Sequence, residues 1–201
     1  SGNDAISESS LRSLRFGGKN AISIAPGARV VSDPVALVVT DLSDLAISIY
    51  LPDDITASGS PVSYHVRGLQ TNYLAGGDQT AANNLENPTT SVSYFFLASV
   101  DVNNYYDRPV IATLGDSIMD GDQVSSAEPV DENARFSNLL ANAIVANGKQ
   151  AGVANLGISG NQVTQSFLGE NPQARFNRDI LSLSGITHVL FLEGINDIGL
   201  P

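Results

Sequence analysis

An alternation of predicted strands and helices that begins at Val110 constrains the fold of this chain most. Short apolar runs at residues 110–114, 152–156 and 188–192 are typical of buried strands. A helical pattern lies in each interval between these runs. Alternating strands and helices favour a parallel sheet with helices packed on its faces. The C-terminal half is therefore predicted to be an α/β domain.

The two helices of this half have recognisable ends. Residues 133–147 carry apolar side chains at helical spacing, and Gly148 follows as the expected C-cap. Pro172 suits the first turn of the second helix, because its missing N–H has no helical partner there. The residues predicted to form the buried face of this helix are Phe176, Ile180 and Leu183.

The N-terminal half has a different pattern. Residues 35–40, 45–50 and 92–100 are rich in β-branched and aromatic residues, and residues 45–50 alternate between apolar and polar positions. Glycine- and proline-containing turns separate these runs, as in β-sandwiches. We therefore expect an all-β, sandwich-like domain over residues 1–107 and the α/β domain over residues 108–201.

Composition excludes several classes of function. A net charge of −11 argues against nucleic-acid binding, which requires clustered Lys and Arg. No run of 18 apolar residues is present, so no transmembrane segment is predicted. The absence of cysteine excludes thiolate metal sites, and we interpret the acidic residues 120, 122, 131 and 132 as a solvated loop rather than a metal site.

Each predicted strand of the α/β half ends in a polar, glycine-containing loop. These loops carry Gly115-Asp116-Ser117, then Gly160 within residues 155–161, then Asn196 within residues 193–197. In a parallel sheet all of them lie at the carboxyl edge, where ligands bind. A serine hydroxyl can attack an ester carbonyl, and backbone or amide N–H groups can stabilise the resulting oxyanion. Each residue also has a structural interpretation: Ser117 as a helix N-cap, Gly160 as a turn glycine and Asn196 as a loop-capping amide.

At these residues the sequence resembles the SGNH, or GDSL-type, hydrolases. Gly115-Asp116-Ser117 is similar to their first block, Gly160 to the glycine of the second and Gly194-Ile195-Asn196-Asp197 to the third, Gly-x-Asn-Asp. The resemblance covers residues 110–201. It implies a flavodoxin-like three-layer α/β/α domain without a cofactor. It also implies Ser117 as nucleophile and Gly160 and Asn196 as oxyanion donors.

The fourth block of that family, Asp-x-x-His, has no counterpart here. The two histidines are His65 and His188, and neither has an aspartate three residues before it. We therefore expect either that the base lies on a separate or missing downstream segment carrying Asp-x-x-His, or that this chain is not competent alone. Because a predicted strand lies directly before residues 198–201, we also expect the chain to be a piece of a longer polypeptide, with a partner segment that covers the unpaired sheet edge. The N-terminal half, with residues 16–19, 32–35 and 69–73, is similar to the β-domain that precedes some bacterial GDSL-type esterases.

The sequence thus predicts a serine ester hydrolase of the carboxylesterase, acetylesterase or lipase type. The expected substrates are small-molecule, carbohydrate or lipid esters, and no metal or cofactor is required. Two alternatives remain open at this point. The chain could be a non-catalytic carbohydrate-binding protein, or an acyltransferase on the same scaffold.

Overall fold

A computed structural model describes residues 5–59, 61–103, 106–122 and 130–199. The chain divides into two compact units between Ala98 and Ser99. The boundary expected from sequence, after residue 107, lies further along the chain. None of the helices within these described ranges has the length and hydrophobicity needed to cross a bilayer.

The strands in the described part of the first unit are all short, with two or three residues each. Its regular elements are a 3-10 turn at Glu8–Ser10, another at Ile55–Ser58, β1 (Tyr64–His65), β2 (Asn72–Leu74), β3 (Thr89–Ser91) and β4 (Tyr94–Phe95). β1 pairs with β4 and β2 pairs with β3, both antiparallel. Residues 64–74 and 89–95 therefore pair with each other at two places and form an irregular hairpin. The Tyr64 and Phe95 rings stack across it, with centroids 6.1 Å apart.

The predicted β-sandwich is wrong for the described part of this unit. Residues 35–40 and 45–50 form no strand, and residues 92–100 contribute only β4. The backbone turns locally instead, with Leu37 N–H donating to Val35 O and Ser43 N–H to Thr40 O. A strand requires a lateral partner for its N–H and C=O groups, and a favourable side-chain pattern does not provide one.

Two of the N-terminal segments singled out in the sequence do meet. The carboxylate of Asp33 accepts hydrogen bonds from the backbone N–H groups of Gly17 (3.0 Å) and Gly18 (2.7 Å). These bonds lower the pKa of Asp33 and keep it ionised. The interaction closes the Phe16–Lys19 turn onto the segment that contains Asp33.

The second unit is a mixed α/β structure around a parallel sheet. Its elements are β5 (Val110–Gly115), α1 (Ser117–Asp120), α2 (Phe136–Ala146), β6 (Gly152–Gly157), α3 (Pro172–Phe176), a π-helical turn (Asn177–Leu181), β7 (Ile186–Leu192) and α4 (Ile195–Gly199). The strand order is β6-β5-β7. All three strands and both longer helical segments lie where the sequence predicts them. Gly148 follows α2 in the left-handed conformation expected of a terminating glycine.

The three strands end level with one another. Gly115 pairs with Gly157 of β6 and with Leu192 of β7, and each of these residues is the last of its strand. The loops that follow the strands therefore start at one edge of the sheet. This register positions the three sequence motifs together.

The core lies on one face of β5. Ala112 and Leu114 are fully buried and pack with Ile180 of the π-helical turn. Asn155 ties two helices to β6, because its Nδ2 donates to Asp120 O and to Ser137 Oγ, both at 3.1 Å.

The predicted buried face of the second helix is only partly correct. Ile180 is buried and Leu183 is half-buried, but Phe176 is exposed and Arg175 is buried in its place. The helix is therefore rotated relative to its apolar pattern. The hydrogen bonds of Arg175, described below, account for this orientation.

β7 forms as predicted but is not a buried strand. Val189, Leu190, Phe191 and Leu192 are consecutive and all exposed. Because successive strand residues point to opposite faces, both faces of β7 are open among the described residues. β5 is its only strand neighbour within the described ranges, where β7 is therefore an edge strand. The expectation of a covering downstream segment stays a prediction.

Candidate active site

Ser117 lies directly beyond the carboxyl end of β5. Asp116 is the N-cap of α1, and its Oδ1 accepts a hydrogen bond from Ile118 N–H at 3.0 Å. Ser117 is the first residue of α1 and is half-buried. Within the part of the chain that the structure describes, neither its hydroxyl nor its N–H has a hydrogen-bond partner. The helix cap is thus made by Asp116, and Ser117 is left available.

Close backbone packing holds this turn against both neighbouring strands. A Cβ atom at Gly115 would lie 1.9 Å from Leu192 O, so only glycine fits there. Asp116 N–H donates to Leu192 O at 3.4 Å, and Ile158 N–H donates to Gly115 O at 2.9 Å. The turn that carries the serine is therefore fixed to the ends of β6 and β7.

Gly160 lies in the loop after β6 with φ +76°. L-residues rarely adopt this conformation, and a Cβ here would come 2.4 Å from Leu168 Cδ1. Among the described residues the Gly160 N–H has no acceptor. Gly160 is both required by the turn and able to donate its N–H.

Asn196 lies in α4, directly after β7, and is hydrogen-bonded to the Gly160 loop. Its Nδ2 donates to Asn161 O at 2.9 Å, and its backbone O accepts from Gln162 Nε2 at 2.8 Å. The amide nitrogen carries two hydrogens, so one N–H remains beyond the bond to Asn161. The structure thus joins the loops that carry two of the three predicted site residues.

Asp197 makes a second connection between the same loops. Its carboxylate accepts from Val163 N–H (2.9 Å), Thr164 N–H (2.8 Å) and Thr164 Oγ1 (2.6 Å). The Thr164 hydroxyl, followed by these backbone bonds, lowers the pKa of Asp197. Its role is to order the loops, as its fully engaged carboxylate indicates.

Sequence reasoning missed Arg175, which is buried behind these loops. Its Nη1 donates to Leu156 O (2.7 Å), and its Nη2 donates to Asn161 Oδ1 (3.1 Å) and to Gly115 O (3.5 Å). Burial lowers the pKa of Arg175, while the Asp179 carboxylate 3.3 Å away opposes that shift. Arg175 directly precedes Phe176, the first residue of the predicted buried face. Nothing in the local sequence pattern indicates that the arginine itself is buried.

Glu193 was also missed, although it belongs to the third motif segment. Its two carboxylate oxygens are inaccessible to solvent and have no hydrogen-bond partner among the described residues. Burial raises the pKa of Glu193 to about 7; Arg175 opposes this shift, and Asp116 and Asp197 add to it. A proton-binding group that titrates near neutral pH therefore lies next to Gly194 and the Asn196 loop.

The acidic residues after Ser117 are not uniformly solvated. Asp120 is only 2% exposed, and its Oδ1 lies 3.3 Å from Arg135 Nη1, so the solvated-loop prediction is wrong for this residue. A buried carboxylate requires such a partner. The described residues contain no cluster of acidic or histidine side chains able to hold a metal ion.

Among the described residues of the second unit, His188 is the one histidine, and it is not hydrogen-bonded to Ser117. His188 pairs with Ile111 in the amino-terminal half of β7, four residues and roughly 13 Å along the strand from Leu192. Its Nδ1 lies 2.8 Å from Thr187 Oγ1. His65 belongs to the first unit, in β1. The described part of the second unit therefore contains no histidine poised to deprotonate the serine.

The carboxyl edge of this sheet combines an available serine hydroxyl with backbone and amide N–H donors. Such an arrangement can present a nucleophile to a carbonyl and stabilise the negative charge that forms on its oxygen. No protein-family model matches this sequence, and no curated protein matches it significantly.

Proposed function

We propose that this chain carries the nucleophile and oxyanion hole of a serine ester hydrolase of the carboxylesterase, acetylesterase or lipase type. Ser117 is the nucleophile, and its N–H, the Gly160 N–H and the Asn196 amide are the oxyanion donors. The observation that carries the proposal is the bond from Asn196 Nδ2 to Asn161 O, made at the edge where all three strands end level. The bond fixes the Asn196 amide beside Asn161, and Asn161 directly follows Gly160, which is another proposed donor.

The reaction follows from these roles. Ser117 Oγ forms a bond to the ester carbonyl carbon and gives its proton to a base, and the carbonyl oxygen becomes an oxyanion. Collapse of this intermediate breaks the bond to the alcohol, which leaves with a proton. Water then attacks the acyl-serine and releases the acid. Each fixed donor to the oxyanion contributes roughly 3–4 kcal/mol to such a step.

The proposal includes a flavodoxin-like SGNH domain. Numbered within the second unit, the strand order β6-β5-β7 is 2-1-3. The flavodoxin-like order is 2-1-3-4-5, and its ligands bind where the order reverses at the first strand. Ser117 follows that first strand, which is where the proposal requires the substrate.

The proposal requires a base that the described residues do not supply. The resemblance implies a histidine in an Asp-x-x-His block, and neither His65 nor His188 stands in one. The proposal therefore includes a partner segment carrying Asp-x-x-His as the source of the base. An isolated serine stays protonated and reacts slowly, so the chain alone should be a weak esterase.

A fluorophosphonate probe tests the proposal, because it reacts with activated serines and leaves a mass tag. We expect tagging of Ser117, faster with added imidazole as a substitute base, and none in Ser117→Ala. Ser43→Ala, which changes an exposed serine of the first unit, should label like the wild type. Absence of Ser117 labelling with imidazole, and with any downstream segment present, would contradict the hydrolase proposal. The non-catalytic binding function would then be favoured.

A further inference from the structure

Arg175 is a buried cation that reaches three parts of the candidate site. It is 1% exposed, and it donates to the last residue of β5, to the fifth residue of β6 and to the side chain of Asn161. These acceptors are Gly115 O, Leu156 O and Asn161 Oδ1. The guanidinium therefore bridges both strand ends and the loop that follows β6.

Asn161 links Arg175 to the proposed oxyanion donors. It is fully buried and follows Gly160 in the chain, and its backbone O accepts from Asn196 Nδ2. Its own Nδ2 donates to Leu168 O and Glu170 O, at 3.3 and 2.9 Å. Any movement of Asn161 therefore moves the Gly160 peptide and the acceptor that holds Asn196.

A buried arginine is a poor choice for packing alone. Removing a guanidinium from water is unfavourable, and apolar residues of similar volume often stabilise such a position better. The planar guanidinium does offer several donors in a fixed geometry, which neither an apolar residue nor lysine reproduces. Its placement here is explained by the three site acceptors that it joins, together with the Asp179 carboxylate, which accepts from Nη1 at 3.3 Å.

We propose that Arg175 is a positioning residue that holds Asn161, and through it the Gly160 N–H and the Asn196 amide, in the geometry of an oxyanion hole. The inference rests on the proposed function for its catalytic consequence. Its structural part, the control of Asn196 by Arg175, is testable without activity.

The first readout is the side-chain amide signal of Asn196 in ¹H–¹⁵N NMR spectra of the full chain. In Arg175→Met the signal should shift and exchange with solvent at least about tenfold faster, because its acceptor is no longer fixed. Ile180→Val is the control: it perturbs the core formed with Ala112 and Leu114, its apolar side chain makes no hydrogen bond to Asn161, and it should leave the signal in place. An unchanged Asn196 signal in folded Arg175→Met would overturn the proposal.

The second readout is the imidazole-assisted rate of fluorophosphonate labelling at Ser117. We expect Arg175→Met to slow labelling about 10- to 100-fold, with Arg175→Lys between it and the wild type, since lysine keeps the charge but not the fork of donors. Ile180→Val should label at the wild-type rate. Equal slowing in Ile180→Val and Arg175→Met would reduce Arg175 to a structural role and overturn the inference.

A pair of Asn161 variants keeps the test available if Arg175→Met does not fold. Asn161→Asp retains the oxygen that accepts from Arg175, whereas Asn161→Ala removes it. Both lose the amide donor to Leu168 O and Glu170 O. We expect Asn161→Asp to keep the Asn196 signal and the labelling rate closer to wild type; equal effects would contradict the proposal. If wild-type Ser117 never labels, the hydrolase proposal fails, while the NMR result still decides the role of Arg175.

Discussion

The two units of this chain use similar apolar content in opposite ways. In the described part of the second unit the buried apolar residues are Ala112, Leu114, Met119 and Ile180, and Ile180 packs against Ala112 and Leu114 of the central strand. In the described part of the first unit, Leu69 is the single buried apolar side chain, and many valines, leucines and isoleucines between residues 22 and 51 are exposed.

Backbone pairing explains the difference. β5 has a partner along its whole length on both sides, so alternate side chains are held in line and can pack against a helix. Residues 35–50 have the β-branched composition of strands but no strand partner within the described ranges. Apolar residues therefore form a core where hydrogen-bonded neighbouring strands hold their side chains in register.

The largest expected contrast is in stability. Leu114→Ala should lower the free energy of unfolding by about 2–5 kcal/mol, because it empties a site beside Ala112 and Ile180. Val38→Ala, in the first unit, should change it by less than about 0.5 kcal/mol, since Val38 is 91% exposed. Urea unfolding measures both. A comparable loss in Val38→Ala would show that residues 35–40 are buried in solution.

The next contrast concerns chemistry at the sheet edge. Asn196→Ala should slow imidazole-assisted labelling of Ser117 by about 10²- to 10³-fold, as expected for the loss of one oxyanion donor. Asn84→Ala removes an exposed asparagine amide from the first unit and should leave the rate unchanged. If both variants label at the wild-type rate, Asn196 is only a loop residue.

The two units should also differ in how their glutamates make the free energy of unfolding depend on pH. The pKa of Glu193 is raised from 4.5 to about 7, so the folded state binds this proton more tightly than the unfolded state. Its contribution to stability is therefore complete below about pH 4.5 and is lost as pH rises toward 7. Glu193→Gln should remove this decline, whereas Glu86→Gln, at an exposed site of the first unit, should not.

Urea midpoints measured between about pH 5 and pH 8 distinguish these variants. The lowered pKa values of Asp33, Asp78 and Asp197 act in the opposite sense and at more acidic pH, where protonation removes their hydrogen-bonded charges. A wild-type midpoint that stays level across this range, with Glu193→Gln no different, would mean that Glu193 is solvated and ionised in solution.

The smallest expected effect comes from backbone strain in the first unit. Leu42 has φ +60° in the turn after residues 35–40, a left-handed conformation that asparagine tolerates better than leucine. Leu42→Asn should raise the free energy of unfolding by about 0.5–1 kcal/mol. Leu45→Asn makes the same chemical change at a residue without positive φ, and it should not stabilise. A matching gain in Leu45→Asn would assign the effect to polarity.

Much of the second unit could be predicted from its residues. The three apolar runs, Pro172 and Gly148 specified strands, a helix start and a helix end, because these signals depend on local backbone geometry. The parallel sheet followed from their alternation. The same local reasoning failed at residues 35–50, where a strand pattern met no neighbouring strand, and at β7, whose apolar faces stay exposed.

Local patterns in the sequence specify which segments of the second unit are strands, and they predict that Ser117, Gly160 and Asn196 follow strand ends. The fold, in contrast, sets the level strand ends at Gly115, Gly157 and Leu192 and the burial of Arg175 and of the Glu193 carboxylate. The reason is that periodicity and capping act over a few neighbouring residues. Strand register and the burial of a charge depend instead on partners 14 to 60 residues away, such as Asn161 and Gly115 for Arg175.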